Sequence, residues 1–344
     1  MALAADQPTM VAPHAARELR SDLSFLPALM AEDGDWVLVD NVEAACQAMR
    51  RVEQYAARVT FVTPRQLQVV RKDIDEICPW GWDKMVKHQL AQLGFCEPLL
   101  PTDQMLSDIR AMSNRNWAAE CLLAPLVDTD DRLCGRSGAV RDMATLDGQL
   151  ADGRRYVVKA PWSSSGRGVR YVEKSIFTES LRNWVAHIIQ RQGFIMLEPY
   201  YNKVCDFGME FHADEGNVRF AGLSLFETTR AAYAGNLVAW EADKRSLLET
   251  YLPLDLIDSV QRQLETLLGA ALEGRYTGPL GIDMMVVADE EGRLLLHPCV
   301  EMNLRQTMGH VALRLPVPAD GRQNMMRVLF DGHYKFRIQT APGH

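Results

Sequence analysis

Apolar and polar positions alternate in two different ways along the first third of the chain. WVLVD at 36–40 and RVTFV at 58–62 are short runs rich in β-branched residues, and DEIC at 75–78 continues the series. The segments between and after these runs repeat their apolar residues at helical spacing. One helical face carries Trp82, Val86, Leu90 and Leu93. Gly94 then ends that helix, and the whole alternation predicts a small parallel α/β unit.

The pattern changes after about residue 124, where polar turn-forming residues lead into longer strands. YVVKAP, VRYV and FIMLEPYY predict strands, and SIFTESLRNWVAHIIQRQG predicts a helix that ends at Gly193. The stretches FGMEFHADEGNVRFAGLSLFE and GIDMMVVADEEGRLLLHPCVEMN predict hairpins that turn at acidic-glycine sequences. A helix at 254–272 is expected between them. This half of the chain is therefore expected to be α+β.

The chain divides into four predicted parts. Residues 1–20 are expected to form a flexible leader, and 21–123 an α/β domain. A first α+β subdomain with a glycine-rich turn follows at 124–195, and a second α+β subdomain at 196–344. The predicted fold class is thus an α/β domain followed by two α+β subdomains.

Net charge, the amino-terminal sequence and the cysteine pattern exclude several classes of function. A net charge of -8 and a pI near 5.6 argue against sequence-independent binding to nucleic acid or to an anionic membrane. The amino terminus lacks the pattern of a signal peptide and no apolar run reaches the length of a membrane span, so a cytoplasmic protein is expected. The 7 cysteines include no C-x-x-C pair, which favours buried reduced thiols over a disulfide framework or a zinc site.

The stretch KAPWSSSGRGVRYVEK, from Lys159 to Lys174, joins two predicted strands through a turn of small polar residues. Serine and glycine let backbone N–H groups approach phosphate oxygens, and Lys159 at the end of the first strand adds a positive charge. The turn matches neither of the common glycine-rich nucleotide motifs. An ordinary hairpin loop with a surface lysine is therefore an equally good interpretation of this stretch alone.

Three oxygen-bearing side chains gather in the last predicted hairpin. Gly292 is midway between Asp283 and Glu301, so a hairpin that turns there places the two carboxylates opposite each other. Asn303 follows Glu301 at period two and shares its face. Carboxylate and amide oxygens suit Mg²⁺ better than zinc, although a single acid at a strand end is usually solvated. The three residues together predict a magnesium site.

With these features in this order, the chain resembles the ATP-grasp superfamily over about residues 115–309. The resemblance rests on the strand that ends in Lys159, the glycine-rich turn, LEPYY and the D…ExN pattern. It implies ATP clamped between two α+β subdomains, with Mg²⁺, or alternatively Mn²⁺, bound by Asp283, Glu301 and Asn303. The segments PWGWD, SNR, KAPWSSSGRG and HPCVEMNLRQTMG also resemble those of a bacterial branch related to carboxylate–amine ligases. This second resemblance does not identify a substrate.

The resemblance also assigns nucleotide contacts. Lys159 and Arg115 would contact the phosphates, and Asp206 fits the position that binds the ribose hydroxyls. The turn that would fold over the β- and γ-phosphates comprises Ser163, Ser164, Ser165, Gly166, Arg167 and Gly168. The hinge that would read the adenine edge by main-chain bonds comprises Glu198, Pro199 and Tyr200.

One position departs from relatives such as D-alanine ligases. Those enzymes carry an arginine two residues before the metal-binding aspartate, where this chain has Gly281. Arg305 is the first substitute for that transition-state cation, and Arg230 is the second. Together with Lys159, these two arginines are the candidate catalytic residues.

Substrate contacts are expected from loops at the carboxyl ends of the first domain's strands. PWGWD is such a loop, in which Trp80 is the candidate for a pocket, whereas Trp82 continues the apolar helical face and is expected in the core. His297 and His310 flank the metal segment, although a histidine in or beside a strand is more often packed than catalytic. His310 is retained with Trp80 as a candidate substrate contact.

Most members of the superfamily are carboxylate ligases. The resemblance therefore implies an ATP- and Mg²⁺-dependent ligase that activates a small-molecule or short peptide carboxylate as an acyl phosphate and joins it to an amine. A kinase that stops after phosphorylating a small molecule is one alternative, and an ATP-binding regulatory protein without turnover is another. Neither nucleic acid nor membrane is an expected partner, and the family architecture also allows a homodimer.

Overall fold

Three β-sheets form the framework of the molecule. The structure, a computed structural model, describes residues 2–163, 168–229, 232–319 and 321–341. Within these residues a two-stranded parallel sheet comes first along the chain, followed by a four-stranded sheet and a seven-stranded sheet that are antiparallel. This order confirms the predicted fold class of an α/β part followed by α+β parts.

The first part of the chain surrounds the parallel pair with helices. Its elements are α1 (Ala2–Ala5), α2 (His14–Asp22), β1 (Trp36–Leu38), α3 (Val42–Met49), β2 (Thr60–Val62), α4 (Pro64–Val70), α5 (Lys84–Gln92), α6 (Asp103–Met112), α7 (Arg115–Ala118) and α8 (Ala124–Val127). The parallel α/β unit is confirmed, because β1 pairs in parallel with β2 and α3 connects them. Asn41, Thr63 and Asp83 start α3, α4 and α5 by accepting a backbone N–H of the first turn.

Residues 75–78 form no strand, contrary to the prediction. Ile74 and Ile77 pack against one apolar cluster at a spacing of three, whereas a strand would point them to opposite faces. The same cluster receives the predicted face of α5, which comprises Trp82, Val86, Leu90 and Leu93. Gly94 follows with a φ of 91°, in the left-handed region that glycine favours, and ends the helix as expected.

The predicted flexible leader, residues 1–20, instead contains α1 and most of α2 and is tied to later helices. Lys84 Nζ lies 2.9 Å from Asp6 Oδ2, and Arg110 Nε donates to the Leu3 carbonyl oxygen at 2.8 Å. The partners stand 78 and 107 positions apart in the chain. Local patterning cannot reveal contacts at such separations, which explains the difference from the prediction.

The second sheet is small and is covered by two helices. Its part of the chain comprises β3 (Gly138–Val140), α9 (Met143–Gln149), β4 (Tyr156–Lys159), β5 (Val169–Val172), α10 (Glu179–Gln192) and β6 (Ile195–Pro199). The strand order is β3-β6-β4-β5, and α9 and α10 pack against the sheet in one apolar cluster. Gly193 ends α10 with a φ of 91°, as predicted. The predicted boundary between 195 and 196 falls inside β6.

The third sheet is long and contains the predicted hairpins. Its part of the chain comprises β7 (Asn202–Asp214), β8 (Asn217–Thr229), β9 (Ala232–Val238), α11 (Glu241–Glu249), α12 (Leu254–Leu272), β10 (Gly278–Ala288), β11 (Leu294–Asn303), α13 (Met308–Arg314), β12 (Asn324–Phe330) and β13 (Tyr334–Thr340). Its order is β11-β10-β7-β8-β9-β12-β13. The predicted hairpins are confirmed as β7–β8 and β10–β11, and α12 matches the predicted helix. The strands β9, β12 and β13, which were not predicted, extend the sheet on one side.

Side chains of the long sheet alternate between two faces with different surroundings. The residues buried in the core with α12 are Phe207, Met209 and Phe211 on β7 and Ile282, Met284 and Val286 on β10. Their neighbours in sequence point to the opposite face, which we call the site face and define by Asp206, Gly208, Glu210, Gly281 and Asp283. Burial of the first face thereby determines which side chains the second face presents.

Helix α13 lies on the site face at the end of the sheet that meets the N-terminal part. A Cβ on Gly222 of β8 would lie 2.7 Å from Leu313 Cδ2, so the helix and the strand are in close contact. Val311 and Leu315 join an apolar cluster that also contains Val37 of β1. The segment between β11 and α13 is therefore held from both sides.

Cysteine positions differ from the expectation of buried thiols. Cys299 is buried, but Cys46, Cys78 and Cys96 are exposed, and within the described parts of the chain every cysteine is free. The three exposed thiols all belong to the first part of the chain. Across the described ranges, no helix combines the length and the apolar character needed to cross a membrane.

Gly235 tests the pairing of β9 with β12. A Cβ at this position would lie 2.4 Å from the Met326 carbonyl oxygen, and this backbone atom cannot move without shifting the strand pair. We expect Gly235→Ala to lower the free energy of unfolding, measured in denaturant, by about 1–3 kcal/mol. Gly138→Ala is the control, because no atom lies within 4 Å of its added Cβ. Equal effects of the two substitutions would contradict the strand pairing.

Candidate active site

The hairpin of β10 and β11 brings the three predicted metal ligands together. Asp283 pairs with Glu301, and Gly281 pairs with Asn303, so the predicted strand register is confirmed. Asn303 Nδ2 donates a hydrogen bond to Asp283 Oδ2 at 3.2 Å. The turn of the hairpin includes Gly292, whose φ is 79°. Two carboxylates and one amide thus converge on the site face.

The electrostatics of this group favour a cation. Burial, and then the charge of Glu301, raise the pKa of Asp283 from 3.8 to about 7. Oxygen donors of this kind fit Mg²⁺, which binds one or two carboxylates. The described part of the chain contains no cluster of three or more His, Cys, Asp or Glu residues that could hold a metal ion. The predicted set differs from such a cluster because its third donor is the Asn303 amide, so magnesium binding stays a prediction.

Lys159 and Glu198, two predicted nucleotide contacts, form an ion pair on the small sheet. Lys159 Nζ lies 2.6 Å from Glu198 Oε2, and the two side chains are 9% and 6% exposed. Ser137 Oγ donates to the other Glu198 oxygen at 3.0 Å. An isolated buried charge is costly, so the pairing stabilises both groups in this position. The sequence did not indicate this contact, which follows from the antiparallel pairing of β4 with β6.

Arg115 connects the small sheet to the hairpin that carries the predicted metal ligands. Its Nη2 donates to Glu301 Oε2 at 2.7 Å, while its Nη1 donates to the Ala160 carbonyl and to Ser163 Oγ, both at 2.7 Å. Asn114 starts the short helix α7 and places Arg115 in its first turn. The side chain is 6% exposed. One buried guanidinium therefore fixes the base of the glycine-rich turn relative to β11.

The base of the glycine-rich turn is tightly closed. The Ala160 N–H donates to the Gly168 carbonyl at 2.8 Å, and a Cβ on Gly168 would lie 2.3 Å from Ser163 Oγ. No larger residue than glycine fits this position without displacing Ser163. The remaining predicted phosphate contacts of the turn, Ser164, Ser165, Gly166 and Arg167, lie outside the described residues.

The predicted hinge follows β6. Pro199 ends that strand, and the Tyr200 N–H donates to the Arg155 carbonyl at 3.0 Å. The Tyr200 ring is 40% exposed and packs against the Arg155 guanidinium and the Tyr171 ring. The main-chain N–H of Tyr200 is thus engaged within the protein. The structure leaves the predicted adenine contacts of Glu198, Pro199 and Tyr200 as predictions.

Asp206 lies on the site face near the start of β7. Thr228 Oγ1 donates to Asp206 Oδ2 at 2.8 Å, and Lys203 Nζ contacts the same oxygen. Asp206 is opposite Met285 of β10, two positions along the strand from Asp283. A ribose contact here would lie on the same face as the predicted metal ligands, and this assignment stays a prediction.

Arg305 follows β11 and packs against the PWGWD loop. Its Nη2 donates to Asn303 Oδ1 at 2.7 Å, and a Cβ on Gly81 would lie 2.8 Å from Arg305 Cβ. The Gln306 N–H donates to the Trp80 carbonyl at 2.7 Å. The backbone of the loop is therefore at the site, while the Trp80 ring packs against the N-terminal apolar cluster. Arg230, the second candidate cation, lies outside the described residues.

Gly281 has no room for a side chain. A Cβ there would lie 2.5 Å from Glu210 Oε2 and 2.9 Å from Thr307 Cγ2. An arginine at this position, as in D-alanine ligases, is therefore excluded by the Glu210 carboxyl. Glu210 was missed by sequence reasoning, although it stands four residues after Asp206 and period two places both on one face.

His310 faces the protein interior. Its Nε2 lies 3.2 Å from the Phe211 carbonyl oxygen, and its Nδ1 lies 3.0 Å from Thr307 Oγ1 and 3.1 Å from Glu210 Oε2. Burial lowers the pKa of His310 to about 4, so the ring is neutral at pH 7. Both ring nitrogens are engaged, and this placement does not support the predicted substrate contact.

His297 is a buried histidine on β11 beside the Lys159–Glu198 pair. It is 1% exposed, and neither ring nitrogen has a hydrogen-bond partner among the described residues. Tyr201 packs edge-on against it, with ring centroids 5.4 Å apart. Burial lowers the pKa of His297 from 6.5 to about 4. It is a packed, neutral residue, as the sequence favoured.

His297 makes a specific contribution to the pH dependence of stability. Because its folded pKa lies below its unfolded value, stability is complete above pH 6.5 and falls as the pH decreases towards 4, by about 1.4 kcal/mol per unit. We expect His297→Gln to reduce this acid-side slope in denaturant unfolding. His187→Gln, at an exposed position on α10, should leave the slope unchanged. Parallel pH profiles for wild type and His297→Gln would contradict the assignment.

Solved structures share this fold, although no family model and no curated protein matches the sequence. N5-carboxyaminoimidazole synthetase from Staphylococcus aureus is 14% identical, with a TM-score of 0.52 over 91% of this chain and 80% of that chain. The biotin carboxylase domain of Hydrogenobacter thermophilus 2-oxoglutarate carboxylase is 15% identical, with a TM-score of 0.51 over 87% and 75%. Biotin carboxylase from Campylobacter jejuni is 15% identical, with a TM-score of 0.50 over 91% and 73%. At these identities the similarity is one of fold, and together with the order of the site residues it shows that this chain has the ATP-grasp fold.

Proposed function

We propose that the protein is an ATP- and Mg²⁺-dependent ligase that activates a carboxylic acid as an acyl phosphate and joins it to an amine. One observation carries the proposal: Arg115 links the two sheets by hydrogen bonds. The guanidinium bonds Glu301 on one side and the base of the glycine-rich turn on the other. Candidate phosphate and metal contacts from different sheets are thereby brought to one place.

The site residues supply complementary binding groups. Asp283, Glu301 and Asn303 would hold Mg²⁺ through their side-chain oxygens, and the ion would supply positive charge to the phosphates of ATP. Lys159 and Arg115 lie at the base of the turn and would contact the phosphates. Each cation is now paired with an acid of the same site, so the binding of phosphate competes with those acids for Lys159 and Arg115.

The proposed reaction has two steps. A carboxylate oxygen of the acid attacks the γ-phosphorus of ATP, the bond from that phosphorus to the bridging oxygen breaks, and ADP leaves. The amine nitrogen then attacks the acyl carbon, the bond between that carbon and the phosphate oxygen breaks, and phosphate leaves. The nitrogen loses a proton as the amide forms. The protein contributes position and charge in both steps, with Arg305 at the acyl end of the site.

The ligands of structures with the same fold support the nucleotide assignment. The Staphylococcus aureus synthetase was solved with ADP, and the Hydrogenobacter thermophilus domain with the magnesium salt of ADP and bicarbonate. The Campylobacter jejuni enzyme was solved as a β,γ-ATP complex. By the same likeness we propose small-molecule or short peptide substrates, in the cytoplasm, and self-association as in the dimeric Hydrogenobacter thermophilus domain.

The reaction can be tested with panels of carboxylic acids and amines. Purified protein, ATP and Mg²⁺ are incubated with each acid, with and without each amine, and ADP and phosphate are measured. A ligase releases phosphate when an acid and an amine are both present, and the amide is found by mass spectrometry. A phosphorylated product that forms without an amine would indicate the kinase. Nucleotide binding without turnover across the panels would indicate the regulatory protein.

Substitutions at the two sheets should separate metal-dependent turnover from nucleotide binding. We expect Glu301→Gln to lower turnover on the order of 100-fold, because a charged metal ligand is lost at the phosphates. We expect Lys159→Met to weaken ATP affinity, measured by calorimetry, by roughly tenfold or more. Glu265→Gln on α12 and the surface variant Lys335→Met are the matched controls and should leave both quantities unchanged. Turnover that persists in Glu301→Gln and Lys159→Met would contradict the assignment.

A further inference from the structure

A carboxyl group occupies a niche behind the predicted metal ligands. Glu210 belongs to β7 and is 4% exposed. A Cβ on Gly281 would lie 2.5 Å from Glu210 Oε2, and a Cβ on Gly309 would lie 1.9 Å from Glu210 Oε1. Two glycines, 71 and 99 residues further along the chain, thus leave the space that this acid fills. Such close fit from separate elements indicates that the carboxyl is built into the site.

The niche supplies polar partners rather than a cation in direct contact. Thr307 Oγ1 donates to Glu210 Oε2 at 2.8 Å, and Ser224 also hydrogen-bonds the carboxyl. Asn236 Nδ2 in turn donates to Ser224 Oγ at 2.7 Å. The only nitrogen that contacts the carboxyl among the described ion pairs is His310 Nδ1, 3.1 Å from Oε2.

The contact with His310 defines where a proton resides. A carbonyl oxygen only accepts, so the 3.2 Å contact to the Phe211 carbonyl requires a proton on His310 Nε2. The Thr307 N–H donates towards Nδ1 at 3.2 Å, so a neutral ring accepts at Nδ1. Glu210 Oε2 lies 3.1 Å from the same nitrogen, and a hydrogen bond between this oxygen and a neutral ring needs a proton on the carboxyl.

The charges around the niche agree with a protonated acid. Burial, as the largest cause, raises the pKa of Glu210 from 4.5 to about 8, the charge of Asp283 raises it further, and Thr307, Ser224 and Arg305 oppose this rise. The titratable groups that face the niche from the packed elements are Asp206 of β7, Asp283 of β10, Glu241 of α11, Arg305 of the segment after β11 and His310 of α13. Lys203 pairs with Asp206 and Lys244 with Glu241, so these two acids are balanced, and burial together with the charge of Asp283 favours the neutral form of Glu210 at pH 7.

We propose that Glu210 is a positioning residue that shares its acidic proton with His310 and holds the segment 304–307. In this position Arg305 faces the phosphoryl and acyl groups, so the proposal rests on the proposed function. The physical link is short. Thr307 is bonded to Glu210, Arg305 stands two residues earlier, and Arg305 is bonded to Asn303. An ionised Glu210 would compete with Asn303 and with substrate for the guanidinium.

Two Glu210 variants test this role through nucleotide affinity. Glu210→Gln replaces the protonated acid by a neutral donor. An NH₂ group at the Oε2 position can donate to His310 Nδ1, and Thr307 Oγ1, which contacts the same position, can turn to accept from it. We expect its affinity for ADP with Mg²⁺, measured by calorimetry at pH 7, to equal that of the wild type within about threefold, and Glu210→Ala to bind roughly tenfold more weakly. Above pH 8 the affinity of the wild type should fall, while that of Glu210→Gln stays level. Glu265→Gln on α12, whose side chain accepts the Phe220 N–H of the same sheet, is the matched acid-to-amide control.

A second measurement uses the protein without ligands. The infrared difference spectrum of wild type minus Glu210→Gln at pH 7 should contain the C=O stretch of a protonated carboxylic acid, which disappears as the pH rises above 8. Absence of that band, equal weakening by Gln and Ala, or the same pH dependence in wild type and Glu210→Gln would overturn the proposal. If the wild type binds no nucleotide, the proposed function fails together with the positioning role, while a missing carboxyl band with normal nucleotide binding overturns the positioning role alone.

Discussion

The two faces of the seven-stranded sheet lie in different surroundings, one in the apolar core with α12 and the other at the site, and each strand supplies side chains to both faces in alternation. Each strand turns every second side chain towards α12, where Phe207, Met209 and Ile282 are fully buried. Because side chains alternate along a strand, the residues between them point to the site face. A shift of one residue in register would bury Asp283 against α12 and expose apolar side chains to the site. The apolar core therefore fixes the positions of the carboxylates on the site face.

Charge pairing is the second condition that organises the site. The cations Lys159 and Arg115 are almost completely buried, and each is bonded to an acid within the same group. Removing one partner of such a pair leaves an uncompensated buried charge, which costs several kcal/mol, roughly 3–5. The bond between Arg115 and Glu301 also crosses from the base of the turn to β11, so the two sheets share one electrostatic network.

The elements that depend on local pattern were predictable. Strand period and a central glycine sufficed to place Asp283 opposite Glu301, and helical periodicity defined 254–272. What remained hidden depends on contacts between distant parts of the chain. The ion pair of Lys159 with Glu198 requires the register of β4 against β6, and the strands β12 and β13 are recognisable only as extensions of an existing sheet. For the same reason a leader that binds α5 and α6 was predicted to be loose.

Gly281 and Glu210 show how a departure from a family pattern can be compensated by a distant residue. With glycine at 281, the carboxyl of Glu210 reaches the hairpin beside Asp283, and no side chain can return to that position without displacing it. A charged carboxylate there would add to the negative charge of Asp283 and Glu301 at the point where phosphate groups approach. A protonated acid adds hydrogen bonds without that charge, so Arg305 remains available to an anionic group. In the protonated state that we propose, Glu210 fills the space beside Gly281 without placing a second negative charge next to Asp283.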